Sequence, residues 1–386
     1  MSALIVRATG LGGSAKNDRT LPPSPDVMWF TAVTLGKPRR GRQGVAKCCR
    51  SELADGVRGP TIYDVARAAG VATSTVSRAF STPGRVGAAT REHVLEVAEE
   101  LGYRPNPHAR ALLSDRHSTV AMVVSDIANP YYFELIRGAE MRAKASDHTL
   151  VLVNAEESAR IELEQIQRLM PAVDGFVLAA SRLPDENLTR LAEQRPVVLV
   201  GRELAGLPCA LLDHVEGSRQ IVQHLDSLGH RHLVYLAGPS SSWMAATRWA
   251  ALRRAAHDVG MTAERVGPFT PRVSQGGVAA DAALSTGASA IVAHNDLLAI
   301  GVIQRLQQRA VRVPEDVSVV GFDDIFAAEL CTPRLTTLGG AHAEVGRAAV
   351  EILLRAAARG REPGKPPVRV ELPTELRLRE STGPRR

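Results

Sequence analysis

Residues 73–78 read Thr-Ser-Thr-Val-Ser-Arg, a concentration of short hydroxyl side chains beside an arginine that suits contact with a nucleic acid. Hydroxyls admit close approach to phosphates and base edges, and a guanidinium can clamp a phosphate oxygen or the edge of a guanine. Thr73, Ser74, Thr75, Ser77 and Arg78 are therefore the candidate DNA-contacting residues of this stretch. Catalysis has no comparable support. The chain carries no P-loop, HExxH or GxSxG pattern, and its eleven histidines form no ligand-spaced cluster. Its four cysteines, Cys48, Cys49, Cys209 and Cys331, have neither zinc spacing nor the look of a secreted disulfide framework. The expectation is no enzyme, no metal and no cofactor, in a reducing, cytoplasmic setting. No apolar run approaches the roughly 18 residues of a membrane span.

The elements around the hydroxyl-rich stretch give it a place. Thr61 followed by Asp64 is a capping-box-like start, and Ile62, Val65, Ala66 and Ala69 supply an apolar face. Gly70 ends that helix. A second short helix runs from about Thr73 to Phe80, with Val76 and Phe80 spaced i, i+4 toward a core. A third follows Gly87 and continues through Glu100, with Gly102 at its C′ position and Pro105 preventing resumption. A helix, a tight glycine turn and a short second helix form the arrangement that enters a DNA major groove. A small three-helix bundle that binds no DNA has the same pattern, so geometry alone leaves that alternative open.

From Ser118 onward short apolar runs alternate with helical patterns. The runs are 119–123, 148–154, 174–180, 196–200, 232–238, 289–294 and 317–322. Helical periodicity lies near 131–145, 158–169, 184–193, 214–228, 244–259, 275–286 and 296–309. Continuous Val/Leu/Ile runs separated by helices imply parallel sheets covered on both faces. This much pattern exceeds one comfortable sheet and predicts two α/β lobes, with a ligand cleft beyond the carboxyl ends of the strands. Charge is divided unevenly. Residues 1–57 hold nine Lys/Arg against four Asp/Glu, residues 58–118 eight against six, and the remainder thirty against thirty-one. A basic front on a neutral body suits a polyanion-binding end.

The run TIYDVARAAGVATSTVSRAF (61–80), followed by VGAATREHVLEVAEELGYRPNPHARAL (86–112), resembles the headpiece of the LacI/GalR family of bacterial transcriptional regulators. The resemblance continues through NPYYFELIRGAE (129–140), AGPSSS (237–242), AHNDLLAIG (293–301), VPEDVSVVGFDD (313–324) and PRLTT (333–337). It implies an α/β fold: a three-helix helix-turn-helix headpiece and a two-lobed, periplasmic-binding-protein-like body with parallel sheets. Thr73 and Ser74 match the family's base-reading pair, Thr75 and Ser77 its phosphate contacts, and Arg78 its DNA-contacting arginine. AsnProHisAlaArgAlaLeuLeu (106–113) resembles the hinge helix that orders over the operator. Leu112 would be its minor-groove wedge, with Asn106 and Ala109 near backbone and groove. In the body, Asp126, Asn129, Tyr132, Arg202, Arg248, Asn295 and Asp323 match effector-binding positions. Four departures stand out. Ala72 and Gly87 occupy positions where the family often has a serine cap, Ala251 one where Gly is common, and Gly339-Gly340 one where Arg-Gln or Lys-Gln is common.

The domain reading that follows is a disordered basic leader at 1–59, a DNA-binding domain at 60–105 and a hinge at 106–117. An effector-binding and dimerisation body at 118–380 and a tail at 381–386 complete it. The leader is either a DNA-tracking arm or a stretch before a start codon assigned too early. The implied function is a dimeric, allosterically controlled repressor on a pseudo-palindromic DNA operator, with a sugar as effector and no membrane partner. The alternatives are a regulator responding to a purine or other metabolite, and an architectural DNA-binding protein without effector. A transport-system solute-binding protein would share the body but has no use for residues 61–112.

Overall fold

The computed structural model describes residues 60–81, 83–103, 117–359 and 366–385. The leader 1–59 and hinge residues Asn106, Ala109 and Leu112 lie outside the described residues.

The headpiece consists of α1 (Ile62–Ala68), α2 (Thr73–Ser81) and α3 (Ala88–Glu100). The Asp64 carboxylate accepts from the Thr61 backbone N–H (2.9 Å) and from its hydroxyl (2.6 Å), which closes the start of α1 as the sequence predicts. Gly70 and Gly102 follow α1 and α3 at φ +64° and +66°, where a Cβ would be strained. Val65, Val76, Ala79, Val94 and Ala98 form the core, and Phe80 meets Tyr103 edge to face at 6.0 Å.

The body has two six-stranded sheets. The first contains β1 (Thr119–Val124), β2 (Thr149–Asn154), β3 (Gly175–Ala179), β4 (Val197–Val200), β5 (Cys209–Leu212) and β11 (Arg369–Leu372), in the order β11-β5-β4-β3-β1-β2. The second contains β6 (His232–Leu236), β7 (Thr262–Val266), β8 (Ala290–Ala293), β9 (Ser318–Phe322), β10 (Thr336–Gly340) and β12 (Thr374–Arg377), in the order β12-β10-β9-β8-β6-β7. Every pairing is parallel except β10 with β12, an antiparallel edge on the second sheet that the continuous-run reading does not contain. Each strand order reverses beside its first strand, between β1 and β3 and between β6 and β8, the kind of switch point at which doubly wound sheets bind ligands.

Helices cover both faces. In the first lobe these are α4 (Tyr131–Lys144), α5 (Ala159–Leu169) and α6 (Asp185–Gln194). In the second they are α7 (His214–Ser227), α8 (Trp243–Asp258), α9 (Gly276–Ser285), α10 (Asp296–Gln308) and the short α11 (Ala327–Leu330). The helix α12 (His342–Arg359) leaves β10 of the second lobe and packs on α4, β3, β4 and β5 of the first. Its approach to α4 depends on glycine: a Cβ on Gly138 would lie 1.8 Å from the Ala343 carbonyl oxygen, and one on Gly346 would lie 2.0 Å from that of Leu135.

The chain therefore crosses between lobes three times, after β5, after β10 and between β11 and β12. These crossings touch. Thr374 donates its hydroxyl to the Asp213 carbonyl at 2.8 Å, and Gly340 lies directly against the Leu212 side chain. Residues 381–385, set apart above as a tail, pack into the second lobe. Ser381 is fully buried and donates to the Val319 carbonyl at 2.6 Å, and His230 accepts or donates at Ser289, Ser318 and Gly383.

Candidate DNA-reading face and effector cleft

On α2 the periodicity divides the side chains cleanly. Val76 and Ala79 are buried against α1 and α3, whereas Ser74 and Arg78 are exposed and Thr73, Thr75 and Ser77 partly so. Ser74 and Arg78 are one turn apart, so the hydroxyl and the guanidinium share a face. Ala72 accepts the first backbone bonds from Thr75 (2.8 Å) and Val76 (3.2 Å) through its carbonyl, but its methyl group offers the remaining N–H groups nothing. Gly87 likewise begins α3 with no side-chain cap.

The predicted cleft residues stand where strand ends place them, and they divide into three groups. The first is an ion pair. Arg248 reaches from α8 to Asp323, the residue after β9, with Nη2 donating to Oδ1 at 2.9 Å. Nη1 donates to the His294 carbonyl, and the guanidinium lies 4.3 Å above the Phe322 ring. Arg248 is 1% exposed and Asp323 4%. Burial pushes the Asp323 carboxyl above the usual carboxylate range, and Arg248 opposes that shift. Asp323 sits at φ +105°, a conformation that an aspartate adopts only under constraint.

The second group is aromatic and polar, at the start of α4. Tyr132 is buried, with its hydroxyl 2.6 Å from Ser125 Oγ, and burial raises its pKa. Asn129 accepts the Tyr131 N–H at 3.1 Å and so shapes the entry to the helix. Tyr131 packs edge to face on both Tyr132 and His342.

The third group is already engaged. Asn295 caps α10, accepting from Leu298 N–H at 3.0 Å, and donates to the Pro271 carbonyl at 3.2 Å. Asp126 accepts the Ala128 N–H on one oxygen and the Arg272 guanidinium on the other. Arg202 is buried and directed at the 181–185 loop, donating to the carbonyls of Ser181 (3.0 Å) and Leu183 (2.6 Å) and pairing with Asp185.

Sequence reasoning overlooked the histidines. His214 opens α7 at the first crossing, packs against Phe322 and lies within the field of Arg248. His342 opens α12 at the second and meets the Asp323 carbonyl at 2.8 Å. His294 meets the Tyr235 hydroxyl at 3.0 Å, and Tyr235 stacks on Trp249, which fixes that indole in the second lobe. Burial, with Arg248 next, holds His214 and His294 well below the ordinary imidazole range. The only textual signal was position: each lies within two residues of a strand end. Arg248 Nε, His214 Nδ1 and His342 Nδ1 are buried without a hydrogen-bond partner among the described residues. Among those residues no cluster of histidine, cysteine and carboxylate could hold a metal ion.

A helix-turn-helix unit joined in one chain to two doubly wound lobes linked by three crossings defines a ligand-responsive DNA-binding regulator. Comparison with known proteins gives the family. The model of "Bacterial regulatory proteins, lacI family" matches residues 61–106, and that of the "Periplasmic binding protein-like domain" matches 222–382. The HTH-type transcriptional regulator DegA of Bacillus subtilis is 33% identical over 84% of this chain and 98% of its own length. The HTH-type transcriptional repressor CytR of Escherichia coli is 33% identical over 76% and 89%. Among solved structures, the lac repressor dimer bound to operator and the anti-inducer ONPF superposes with a TM-score of 0.75, at 26% identity over 84% of this chain and all of that one. A complex of the regulator CelR with cellobiose gives 0.61, at 31% identity over 83% and 99%. The chain belongs to the LacI family and is a transcriptional regulator.

Proposed function

We propose that this protein is a cytoplasmic homodimeric repressor, without enzymatic activity, that binds a pseudo-palindromic operator and responds to a sugar. Two-fold symmetry of the dimer is copied into the two half-sites, and each α2 offers Thr73, Ser74 and Arg78 to one of them. Thr75 and Ser77 contact phosphates, and the hinge places Leu112 in the minor groove with Asn106 and Ala109 beside it. In the cleft, Arg248 and Asp323 hold the effector's hydroxyls, with Asn129 and Tyr132 at the opposite wall. Asp126 and Arg202 keep that wall in shape, and Asn295 does the same on the side of Arg248 and Asp323. The observation that carries the reading is the Arg248–Asp323 pair, buried near the strand ends beside the first and second lobe crossings and flanked by aromatic faces. The cellobiose held by CelR supports a sugar as the ligand class.

The test has two stages. Selection from a random duplex pool should return a single pseudo-palindromic site, and Arg78→Ala should weaken binding to it at least tenfold at fixed salt. Thermal shift against sugars and nucleobases should then pick out sugars. Enrichment of no common sequence refutes the regulator; stabilisation by nucleobases alone refutes the sugar.

A further inference from the structure

Two of the residues that resemblance assigns to the effector, Asp126 and Asn295, hold the same short segment: Asn295 bonds the Pro271 carbonyl and Asp126 pairs with Arg272. Arg272 follows β7 in the second lobe. Its Nη2 and Nε donate to one carboxylate oxygen of Asp126 at 2.8 and 3.2 Å, and Asp126 follows β1 in the first lobe. The bond therefore spans the mouth of the cleft. Both ends are prepared for it. Asp126 is fixed by the Ala128 N–H on its other oxygen at 3.0 Å. The loop bearing Arg272 is fixed by its own N–H on the Thr270 carbonyl (2.8 Å) and by Asn295 Nδ2 on the Pro271 carbonyl (3.2 Å). Only the arginine side chain, 53% exposed, loses much freedom when the pair forms.

Distance from the crossings gives the pair leverage. Strand β1 lies three places from β5 and β7 four from β10, the strands that lead into crossings, so both ends of the pair sit at least about 14 Å from them at ~4.8 Å per strand. Opening the lobes by about 5° moves groups at that radius by more than 1 Å, enough to take a 2.8 Å contact out of hydrogen-bond reach.

We propose that Arg272 is a positioning residue that latches the two lobes by clasping Asp126 across the cleft mouth, and so sets how often the ligand-free cleft stands open. A pair this exposed shifts that equilibrium by a small factor, which suits a latch that an effector must be able to release or reinforce. The inference rests on the two-lobed switch of the proposed function, but its test requires neither ligand nor DNA.

Amide exchange is measured on the full chain, following segments 126–131 and 268–276. Arg272→Gln and Asp126→Asn should each raise exchange there roughly two- to fivefold, the range expected of one partly exposed, doubly bonded pair. Arg272→Lys should fall between parent and Arg272→Gln. The reversed pair, Asp126→Arg with Arg272→Asp, should return exchange toward the parent rate, which a merely structural loss at either position would not allow. Raising sodium chloride from 50 to 500 mM should bring the parent toward Arg272→Gln. Equal exchange in parent and single variants, or a reversed pair as open as either single variant, overturns the latch and leaves the regulator reading untouched.

Discussion

Replacing Asp323 with Asn separates the structural role of the buried ion pair from its role in ligand binding. The change keeps the shape of the side chain and tolerates the positive φ at this position about as well as aspartate does. What it removes is the charge opposite a guanidinium that is 1% exposed. Arg248 retains its bond to the His294 carbonyl and its place over Phe322, neither of which neutralises it. Breaking a buried pair by removing one partner costs about 3–5 kcal/mol, because the remaining charge stays desolvated. At roughly 2–4 °C per kcal/mol for a body of this size, the melting temperature should fall by about 6–20 °C. Thermal unfolding followed by circular dichroism measures this without any ligand. Adding Arg248→Met removes the stranded charge, so the double variant should recover most of the lost stability while its effector affinity, by calorimetry, stays abolished. A melting temperature for Asp323→Asn within 2 °C of the parent would show that water reaches the pair, and the reasoning from burial would fail.

Four further outcomes follow from the same geometry. His214 and His294 resist protonation when folded but titrate normally near 6.5 when unfolded, so stability is present above that value and is lost as pH falls below it. Urea midpoints should drop between pH 6.5 and 5.5 by the equivalent of up to about 1.4 kcal/mol per histidine, and a flat profile would contradict the burial. Asp296 is the opposite case: burial raises its pKa, so its contribution is lost as pH rises, and Asp296→Asn, which can still bond Thr337 and Ile325, should be more stable than parent at pH 7. Gly346→Ala should cost about 1–3 kcal/mol or more in denaturant unfolding, since its methyl group meets the Leu135 carbonyl, whereas Gly277→Ala meets nothing within 4 Å and should be neutral or better. Deleting residues 1–57 should leave the operator sequence in a footprint unchanged; an altered site would give the leader a part in recognition.

Where a strand is buried on both faces, composition alone exposes it. Residues 120–124, 175–180 and 290–293 were legible because every side chain there is apolar or absent, and the helices between strands ended within a residue or two of their periodic patterns. Edge and closing strands gave no such signal. Thr262–Val266 carries Glu264 and Arg265 on a half-exposed edge, and β11 and β12 are divided by Pro373 into two fragments that belong to different sheets; the internal Cys209–Leu212 follows β4 with no helix between, which breaks the alternation. Helix α12 has clear periodicity, but which lobe it covers depends on the crossing before it, a long-range fact. The same limit applies to the site. Strand-end position and family resemblance brought Arg248 and Asp323 together, yet nothing local reveals that Arg202 is spent on carbonyls 19 and 21 residues away or that Asp126 already has an arginine.

The double glycine at 339–340 shows how a departure from the family pattern becomes intelligible only in three dimensions. Read as sequence, it deletes a polar side chain at the lobe crossing. In the fold, a Cβ on Gly340 would stand 2.7 Å from Leu212, and one on Gly339 would stand 2.9 Å from the Asp324 side chain. Small residues here allow the first and second crossings to touch. The cation that a longer side chain would have supplied comes from elsewhere: Arg379, after β12, pairs with Asp324 at 2.7 Å, and Arg377 approaches it at 3.8 Å. Charge is thus delivered from the segment after the third crossing rather than from within the second. The second crossing reaches Asp323 through His342, which bonds its carbonyl, and the Asp323 carboxylate holds Arg248. A ligand that alters the Arg248–Asp323 bond therefore acts on the segments about which the lobes turn.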